Sequence, residues 1–548
     1  MLDGFVPFPE EFAERYREKG YWRDKSLAQE FGEIFEKFAE REAFIDGGRV
    51  LTYKGLDEVS TNLALNLMEL GFKPLDRVVL QMPNVLEFPI LYFALQKLGC
   101  IPIASLATHR FREVNQFVEL SGAVACFAPD KIGDFEFAPM IERARAEQST
   151  LAHGIIIGDA PDGFQSLSDL IEKPASLDES ELDKVQIDPT LPAVFQLSGG
   201  TTGIPKLIPR THNDYAYNSK MAASVCDFNP GDTQLCVLPI AHNLPLACPG
   251  LQGALFNGMR IVLSASPRAE DVFALVEKHT ISHIAVVPAL LIRWVNDPAI
   301  EKHDLSSVRV IQSGGQRLQP EVRLRTKEMI PSVTVQENFG MGEGMLLFVR
   351  LDDPEDVRLE TVGRVVCPDD EIRLLDDDDN EVATGETGEF CARGPYTLRG
   401  YFGTPEHNAR AFTDDGFYRS GDLMRQHASG NYMVEGRKKD LINRGGEKIS
   451  AEEIENLILA HPAVQNIACI AMPDEVLGER MCACVIPQRG QSLEFDELNG
   501  FLSEQEIAKH KLPERLEVMD EFPVSSFGKV SKKDLVIMIA EKIEKEKQ

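Results

Sequence analysis

The feature that most narrows the fold is an alternation. Between about residue 50 and residue 440, short strand-like apolar runs take turns with segments of helical periodicity. RVVLQMP is followed by a helical stretch from Glu87 to Lys97, then by CIPIA, a further helix and AVACFAP. The cadence returns in RIVLSAS, a helix over 269–278, HIAVVP, a helix over 289–296 and VRVIQSGG. Strands that alternate with helices pair in parallel and are covered by those helices, so the pattern predicts two stacked α/β units, without a close internal repeat. After about residue 360 the texture changes to short alternating strands with turn signals, Asp376 to Asp379 and Asn380 forming a solvated hairpin turn. Beyond GRKKDLI, the order helix (AEEIENLILAHP), strand (NIACIAMP), strand (MCACVIP), helix, strand (RLEVMDEFP) predicts a compact α+β unit. The boundary falls near Lys439, which divides the chain into 1–438 and 439–548.

Composition excludes several function classes. A chain of 548 residues, 43% of them hydrophobic, fills more than one core. Its formal charge of -30 repels nucleic acid and anionic lipid headgroups, and the basic residues are scattered rather than clustered. Small molecules or a locally complementary protein are the expected partners, with neither nucleic acid nor membrane among them. The ten cysteines include no CxxC pair and sit mostly in apolar surroundings, as reduced thiols do in a cytosol. His279 and His283 in HTISH lack an acidic or thiol companion, so they read as ordinary surface or core histidines. MLDGFVPFPEEF has no basic region or apolar signal core, and the apolar stretch from Phe88 to Ala107 is broken by Gln96, Lys97 and Gly99. The expectation is a cytoplasmic protein.

The strongest chemical signal is SGGTTGIPK, Ser198 to Lys206, directly after the apolar strand AVFQL. Glycines and small hydroxyl residues let backbone N–H groups approach phosphate oxygens, and Lys206 offsets their charge. Ile204 and Pro205 stand before Lys206, so the loop is not a Walker A sequence. Four further motifs follow in order: NFGMGEG (Asn338 to Gly344), YRSGD (Tyr418 to Asp422), GRKKDLINRGGEKIS (Gly436 to Ser450) and SSFGKVSKKDL (Ser525 to Leu535).

Together these five resemble the ordered core motifs of the adenylate-forming superfamily of acyl-CoA synthetases, luciferases and nonribosomal-peptide adenylation domains. The resemblance covers essentially the whole chain. FVPFPEEFAERYREKGYW, PRTHNDY and IAHNLPLACPG bring it nearest to stand-alone aryl acid AMP ligases of siderophore pathways, which activate 2,3-dihydroxybenzoate or salicylate. That family's fold is implied: a large N-terminal part of two α/β subdomains and a small β-barrel-like subdomain, followed by a small mobile α+β C-terminal domain.

The resemblance also implies roles. ATP would be held by Ser198, Gly199, Gly200, Thr201, Thr202, Gly203 and Lys206 on its phosphates. Gly315, Asn338, Phe339 and Gly340 would surround the base, and Asp422 and Arg437 the ribose. Glu343 would hold Mg²⁺, whose charge lets a carboxylate approach an anionic α-phosphate. Lys529 would bridge carboxylate and phosphate as the acyl-adenylate forms, and Lys439 would be the hinge about which the C-terminal domain turns. Lys532 and Lys533 carry no such implication and read as surface residues.

For the acid, the resemblance points to His242, Asn243, Leu244, Cys248, Gly314, Gly342 and Leu346 as the pocket. Asn243 would meet the 2-hydroxyl of an ortho-hydroxybenzoate, with His242 near its carboxylate. The dihydroxybenzoate enzymes usually carry HNYPLSSPG where this chain has HNLPLACPG. Cys248 replaces a serine, lessening the reward for a 3-hydroxyl and leaning the pocket toward salicylate or tolerance of both acids, and Leu244 replaces a tyrosine, leaving a less polar pocket open to a plain benzoate or anthranilate. The expected acceptor is the phosphopantetheine thiol of an aryl carrier protein, since no evident basic patch suits the 3′-phosphate of CoA. The alternatives are an aromatic acid–CoA ligase of the benzoate or anthranilate type and a nucleotide-binding scaffold without turnover, against which intact Lys529, Glu343 and Asp422 argue.

Overall fold

The structure is a computed structural model that describes residues 2–198, 206–444, 447–474, 476–505, 507, 509–524 and 529–546. Two large sheets carry the first two thirds of the chain. In the seven-stranded sheet, Pro192–Leu197, Ile101–Ser105, Arg77–Gln81, Ala125–Pro129, His153–Ile157 and Gln165–Ser166 run parallel, and Leu207–Thr211 closes one edge antiparallel to Pro192–Leu197. Ile101–Ser105 and Ala125–Pro129 are buried at every position, which is why they read as unbroken apolar runs. In the nine-stranded sheet the parallel centre runs Glu42–Asp46, Arg260–Leu263, Thr233–Cys236, His283–Val286, Val310–Ser313 and Thr334–Gly340, with antiparallel strands at both edges. The helices expected around residues 87–97, 269–278 and 289–296 are Glu87–Leu98, Ala269–His279 and Pro288–Val295.

The short-stranded region forms a four-stranded antiparallel sheet from Glu371–Leu375, Thr387–Arg393, Tyr418–Gln426 and Tyr432–Arg437. Its first hairpin is the aspartate turn: Asp376 N–H donates to the Asn380 carbonyl at 2.9 Å, and Asp379 takes a positive φ of 64°. The turn is more than solvated, because Arg419 pairs with Asp379 at 2.5 Å and Lys438 with Asp377 at 3.0 Å.

The last part of the chain has its own sheet, with Val464–Asp474 and Gly478–Pro487 at its centre. Ala451–Leu459 packs on one face through Ile454 and Ile458, and Lys532–Glu546 on the other through Leu535 and Ile539. It touches the large part where Ser450 Oγ donates to the Glu435 carbonyl at 2.5 Å and Gln319 Nε2 donates to Asn456 Oδ1.

Of three local expectations, those for the histidines and the cysteines hold, and the one for Lys532 needs correction. His279 ends a helix while His283 begins a buried strand, so the pair never shares a helix face. Lys532 is not a solvated surface residue: its ammonium pairs with Glu455 at 2.7 Å. All ten cysteines are buried free thiols, in keeping with their apolar surroundings.

Candidate active site

The ends of the predicted phosphate loop, Ser198 and Lys206, pair with each other. Ser198 N–H donates to the Lys206 carbonyl at 3.0 Å, and Lys206 N–H donates to Ser198 Oγ at 2.9 Å. The strands Pro192–Leu197 and Leu207–Thr211 pair antiparallel on either side of this junction, and the predicted ATP contacts Gly199, Gly200, Thr201, Thr202 and Gly203 lie outside the described residues. The Lys206 ammonium stands 5.6 Å from the centre of the Tyr401 ring.

Tyr401 links that lysine to Glu343. Its hydroxyl donates to Glu343 Oε1 at 2.6 Å and lies 2.9 Å from the Tyr418 hydroxyl. Burial and the Glu343 carboxylate together push both phenols well above their usual pKa, so both remain protonated donors. Gly344, next in the chain, has φ +127° and runs so close to Tyr396 that any Cβ there would collide with the Tyr396 carbonyl, which explains glycine at that position. Among the described residues no group of three or more His, Cys, Asp or Glu side chains could hold a metal ion. A single oriented carboxylate fits Mg²⁺, which keeps several waters and takes most other oxygens from substrate phosphates.

Asn338, Phe339 and Gly340 end the strand Thr334–Gly340, antiparallel to Leu346–Phe348, with Gly340 opposite Leu346. Asn338 is 6% exposed, and its Nδ2 is a buried donor without a partner among the described residues. Its side chain lies against Gly314, where a Cβ would meet it. Phe339 is half-buried and edge-on to Phe390, with ring centres 5.5 Å apart. Asp422 and Arg437 face each other across the hairpin Tyr418–Gln426/Tyr432–Arg437, and Arg437 Nε donates to Asp422 Oδ1 at 2.8 Å. The Asp422 charge raises the Arg437 pKa further.

Lys529 arrives from the far part of the chain. A Cβ at Gly315, itself at φ +90°, would stand 3.1 Å from Lys529 Cε and 3.4 Å from its Nζ. His242 shares this corner: burial pushes its pKa down to about 3, with the charge of Lys529 and His109 adding to the effect. The imidazole is therefore neutral at working pH. Lys439 sits in the single 3₁₀ turn Lys438–Asp440 between the hairpin and the C-terminal sheet.

The remaining pocket residues are tied into one polar network. Gln196 Nε2 donates to Tyr215 OH at 3.0 Å, Tyr215 OH to Asn243 Oδ1 at 2.9 Å, and Asn243 Nδ2 to Cys248 Sγ at 3.3 Å. Cys248 Sγ donates to Asn218 Oδ1 at 2.8 Å, and Asn218 reaches the Gly344 carbonyl at 3.4 Å. Burial pushes the Cys248 thiol up to about 12, so it stays an S–H donor. Leu244 and Leu346 supply apolar surface. Behind Gly342, fully buried Arg210 pairs with Asp214 at 2.9 Å and donates to the carbonyls of Gly342 and Tyr396 at 3.2 and 3.3 Å. Asp214 and Thr211 form the capping box of helix His212–Ala223, which carries Tyr215 and Asn218.

The same arrangement is matched by a family model. Residues 31–402 match the AMP-binding enzyme model, and residues 453–529 match the AMP-binding enzyme C-terminal domain. The chain belongs to the AMP-binding enzymes. Among curated relatives of this AMP-binding enzyme, "2,3-dihydroxybenzoate-AMP ligase" of Bacillus subtilis is 42% identical over 543 residues, covering 99% of each chain. "Salicylyl-CoA synthase / salicylate adenylyltransferase" of a Streptomyces species is 43% identical, covering 97% of each. "Salicyl-AMP ligase / salicyl-S-ArCP synthetase" of Mycobacterium tuberculosis is 40% identical, covering 98% of this chain and 94% of that one.

Several residues of the AMP-binding enzyme's site were not singled out in the sequence. Tyr401 and Tyr418 orient Glu343, and Tyr215 and Asn218 hold Asn243 and Cys248. Tyr215 was within reach, since it ends the PRTHNDY segment. Tyr401 lies in no phosphate motif, and only the fold brings it to Glu343.

Proposed function

We propose that this AMP-binding enzyme activates an ortho-hydroxybenzoate, 2,3-dihydroxybenzoate or salicylate, as its adenylate and passes the acyl group to the phosphopantetheine thiol of an aryl carrier protein in siderophore synthesis. The observation that carries this reading is the convergence of Lys529 and neutral His242 at Gly315, beside a pocket walled by Asn243 and Cys248.

In the first step the aryl carboxylate attacks the α-phosphorus of ATP, and pyrophosphate leaves. Lys529 holds the carboxylate and the α-phosphate together, stabilising the charge that develops between them. Neutral His242 adds no second cation and lies beside the carboxylate. Lys206 and the 198–206 loop take the β- and γ-phosphates, Asp422 accepts from the ribose hydroxyls with Arg437 orienting it, and Asn338 Nδ2 offers its buried N–H to the base. Glu343 would hold Mg²⁺, which would supply positive charge against the phosphates. Asn243 gives one N–H to Cys248, which leaves the other for the 2-hydroxyl of the ring.

In the second step residues 439–548 turn about Lys439 and carry Lys529 away, and the carrier thiol attacks the acyl carbon of the adenylate, releasing AMP. The Streptomyces relative named as a salicylyl-CoA synthase favours a second reading, with CoA as the acceptor. Supplying preformed salicyl-adenylate to CoA and to a phosphopantetheinylated aryl carrier protein separates the two. Faster thioester formation with the carrier is expected, and faster formation with CoA overturns that assignment.

A further inference from the structure

Lys532 stands three residues beyond Lys529, at the start of helix Lys532–Glu546. Its ammonium is 2.7 Å from Glu455 Oε1, and the Glu455 side chain is only 14% exposed. The same oxygen accepts from the Cys469 backbone N–H at 2.6 Å, so Glu455 is fixed to the central strand Val464–Asp474 as well as to its own helix, Ala451–Leu459. Burial alone would lower the Lys532 pKa, but Glu455 and Asp440 outweigh it and raise the value above the ordinary lysine range. Asp440 belongs to the Lys438–Asp440 turn, so this one ammonium answers to the connector between the two parts of the chain and to the helix that faces the large part through Asn456.

The short piece carrying Lys529 has further contacts among the described residues. Val530 bridges Val524, Ser531 N–H donates to the Pro523 carbonyl at 2.8 Å, and Ser531 Oγ accepts from Asp534 N–H at 3.4 Å. Leu535, fully buried, anchors the helix from below. The bridge and the two Ser531 bonds stay within residues 523–534. Lys532 reaches further, because its ammonium pairs across to Glu455 on Ala451–Leu459, the helix in contact with Gln319 of the large part.

We infer that Lys532 and Glu455 form a positioning pair that sets the reach of Lys529 toward the reacting phosphate, an inference that rests on Lys529 serving the adenylation step. Lys532 touches no substrate. Misplacing a reacting group by about 1 Å can lower a rate about 100-fold, and that is the loss expected in ATP–pyrophosphate exchange for Lys532→Met. Thioester formation from supplied aryl-adenylate does not use Lys529 and stays within about twofold of wild type.

Lys532→Met alone leaves Glu455 without its cation, so the double variant Lys532→Met/Glu455→Gln is measured beside it, together with Lys532→Arg and Lys529→Ala. The expected pattern is deep loss of exchange in Lys532→Met and in the double variant, recovery in Lys532→Arg, and a retained second step throughout. Exchange restored to wild-type level in the double variant overturns the inference, since the pair would then only avoid a stray charge. Parallel loss of both steps overturns it too, as a folding role would produce. If Lys529→Ala itself keeps full exchange, the assignment of Lys529 is what fails, and that result is separate from the other two.

Discussion

Cys248→Ser tests the pocket most sharply, because the structure shows what the thiol is already doing. Sγ donates its hydrogen to Asn218 Oδ1 at 2.8 Å and accepts from Asn243 Nδ2 at 3.3 Å. Toward a ring hydroxyl it therefore offers only sulfur's weak acceptor capacity. A serine hydroxyl keeps the bond to Asn218 and adds two stronger acceptor lone pairs, one of them available to a 3-hydroxyl. One neutral hydrogen bond is worth about 0.5–1.5 kcal/mol, which is about 2- to 13-fold in relative specificity. The assay is acid-dependent ATP–pyrophosphate exchange, read as kcat/KM for 2,3-dihydroxybenzoate divided by kcat/KM for salicylate. Salicylate lacks the 3-hydroxyl and serves as the internal control, so its own kcat/KM should stay nearly constant while the ratio rises. A ratio that holds still, or that moves toward salicylate, refutes the assignment of Cys248 to the 3-position.

Three further outcomes follow from the same geometry. Tyr401→Phe removes the 2.6 Å donor that orients Glu343; a hydrogen bond to a charged group is worth about 1.5–3 kcal/mol, so the Mg²⁺ concentration for half-maximal exchange should rise by about 10- to 100-fold. An unchanged Mg²⁺ requirement would separate Glu343 from the metal. Asp422→Asn removes the charge that Arg437 pairs with and turns one of the two carboxylate acceptors into an NH2 donor, raising the KM for ATP at least about 10-fold while the KM for the aryl acid stays put; equal rises in both would mean the hairpin had been disrupted. Burial pushes His212 down to about 3 and His109 and His283 down to about 4, so the native state holds them neutral while the unfolded chain protonates them near pH 6.5. Stability is therefore present above that value and lost as pH falls below it, by about 1.4 kcal/mol per pH unit for each group. Denaturant midpoints between pH 7.5 and 5 check the sign, and stability that rises on acidification would contradict it.

The order of strands and helices was legible because the central strands are buried at every position and so appear as unbroken apolar runs, as in Ile101–Ser105 and Ala125–Pro129. The motif residues were legible for a different reason: phosphate, ribose and metal chemistry demand glycine, carboxylate and lysine at short spacings, so Ser198, Lys206, Asp422 and Lys529 stand in compact strings. What supports them was not. Tyr401 reaches Glu343 from a separate segment, and nothing local distinguishes it from any other half-apolar tyrosine. Lys532 looked like one more cation in a charged tail, since its partner Glu455 lies in a different helix and only packing of the C-terminal sheet brings the two together. The aspartate turn was legible as a turn, but its pairing with Arg419 and Lys438 depends on the neighbouring hairpin.

The central claim is that this AMP-binding enzyme adenylates an ortho-hydroxybenzoate with Lys529 at the reacting phosphate. The most direct measurement is ATP–pyrophosphate exchange with salicylate, 2,3-dihydroxybenzoate, benzoate and anthranilate, run on the wild type and on Lys529→Ala. The account predicts strong exchange with the two hydroxylated acids, little with benzoate, and none with any acid in Lys529→Ala. Exchange that favours benzoate, that is absent with every aryl acid, or that survives the loss of Lys529 would contradict it.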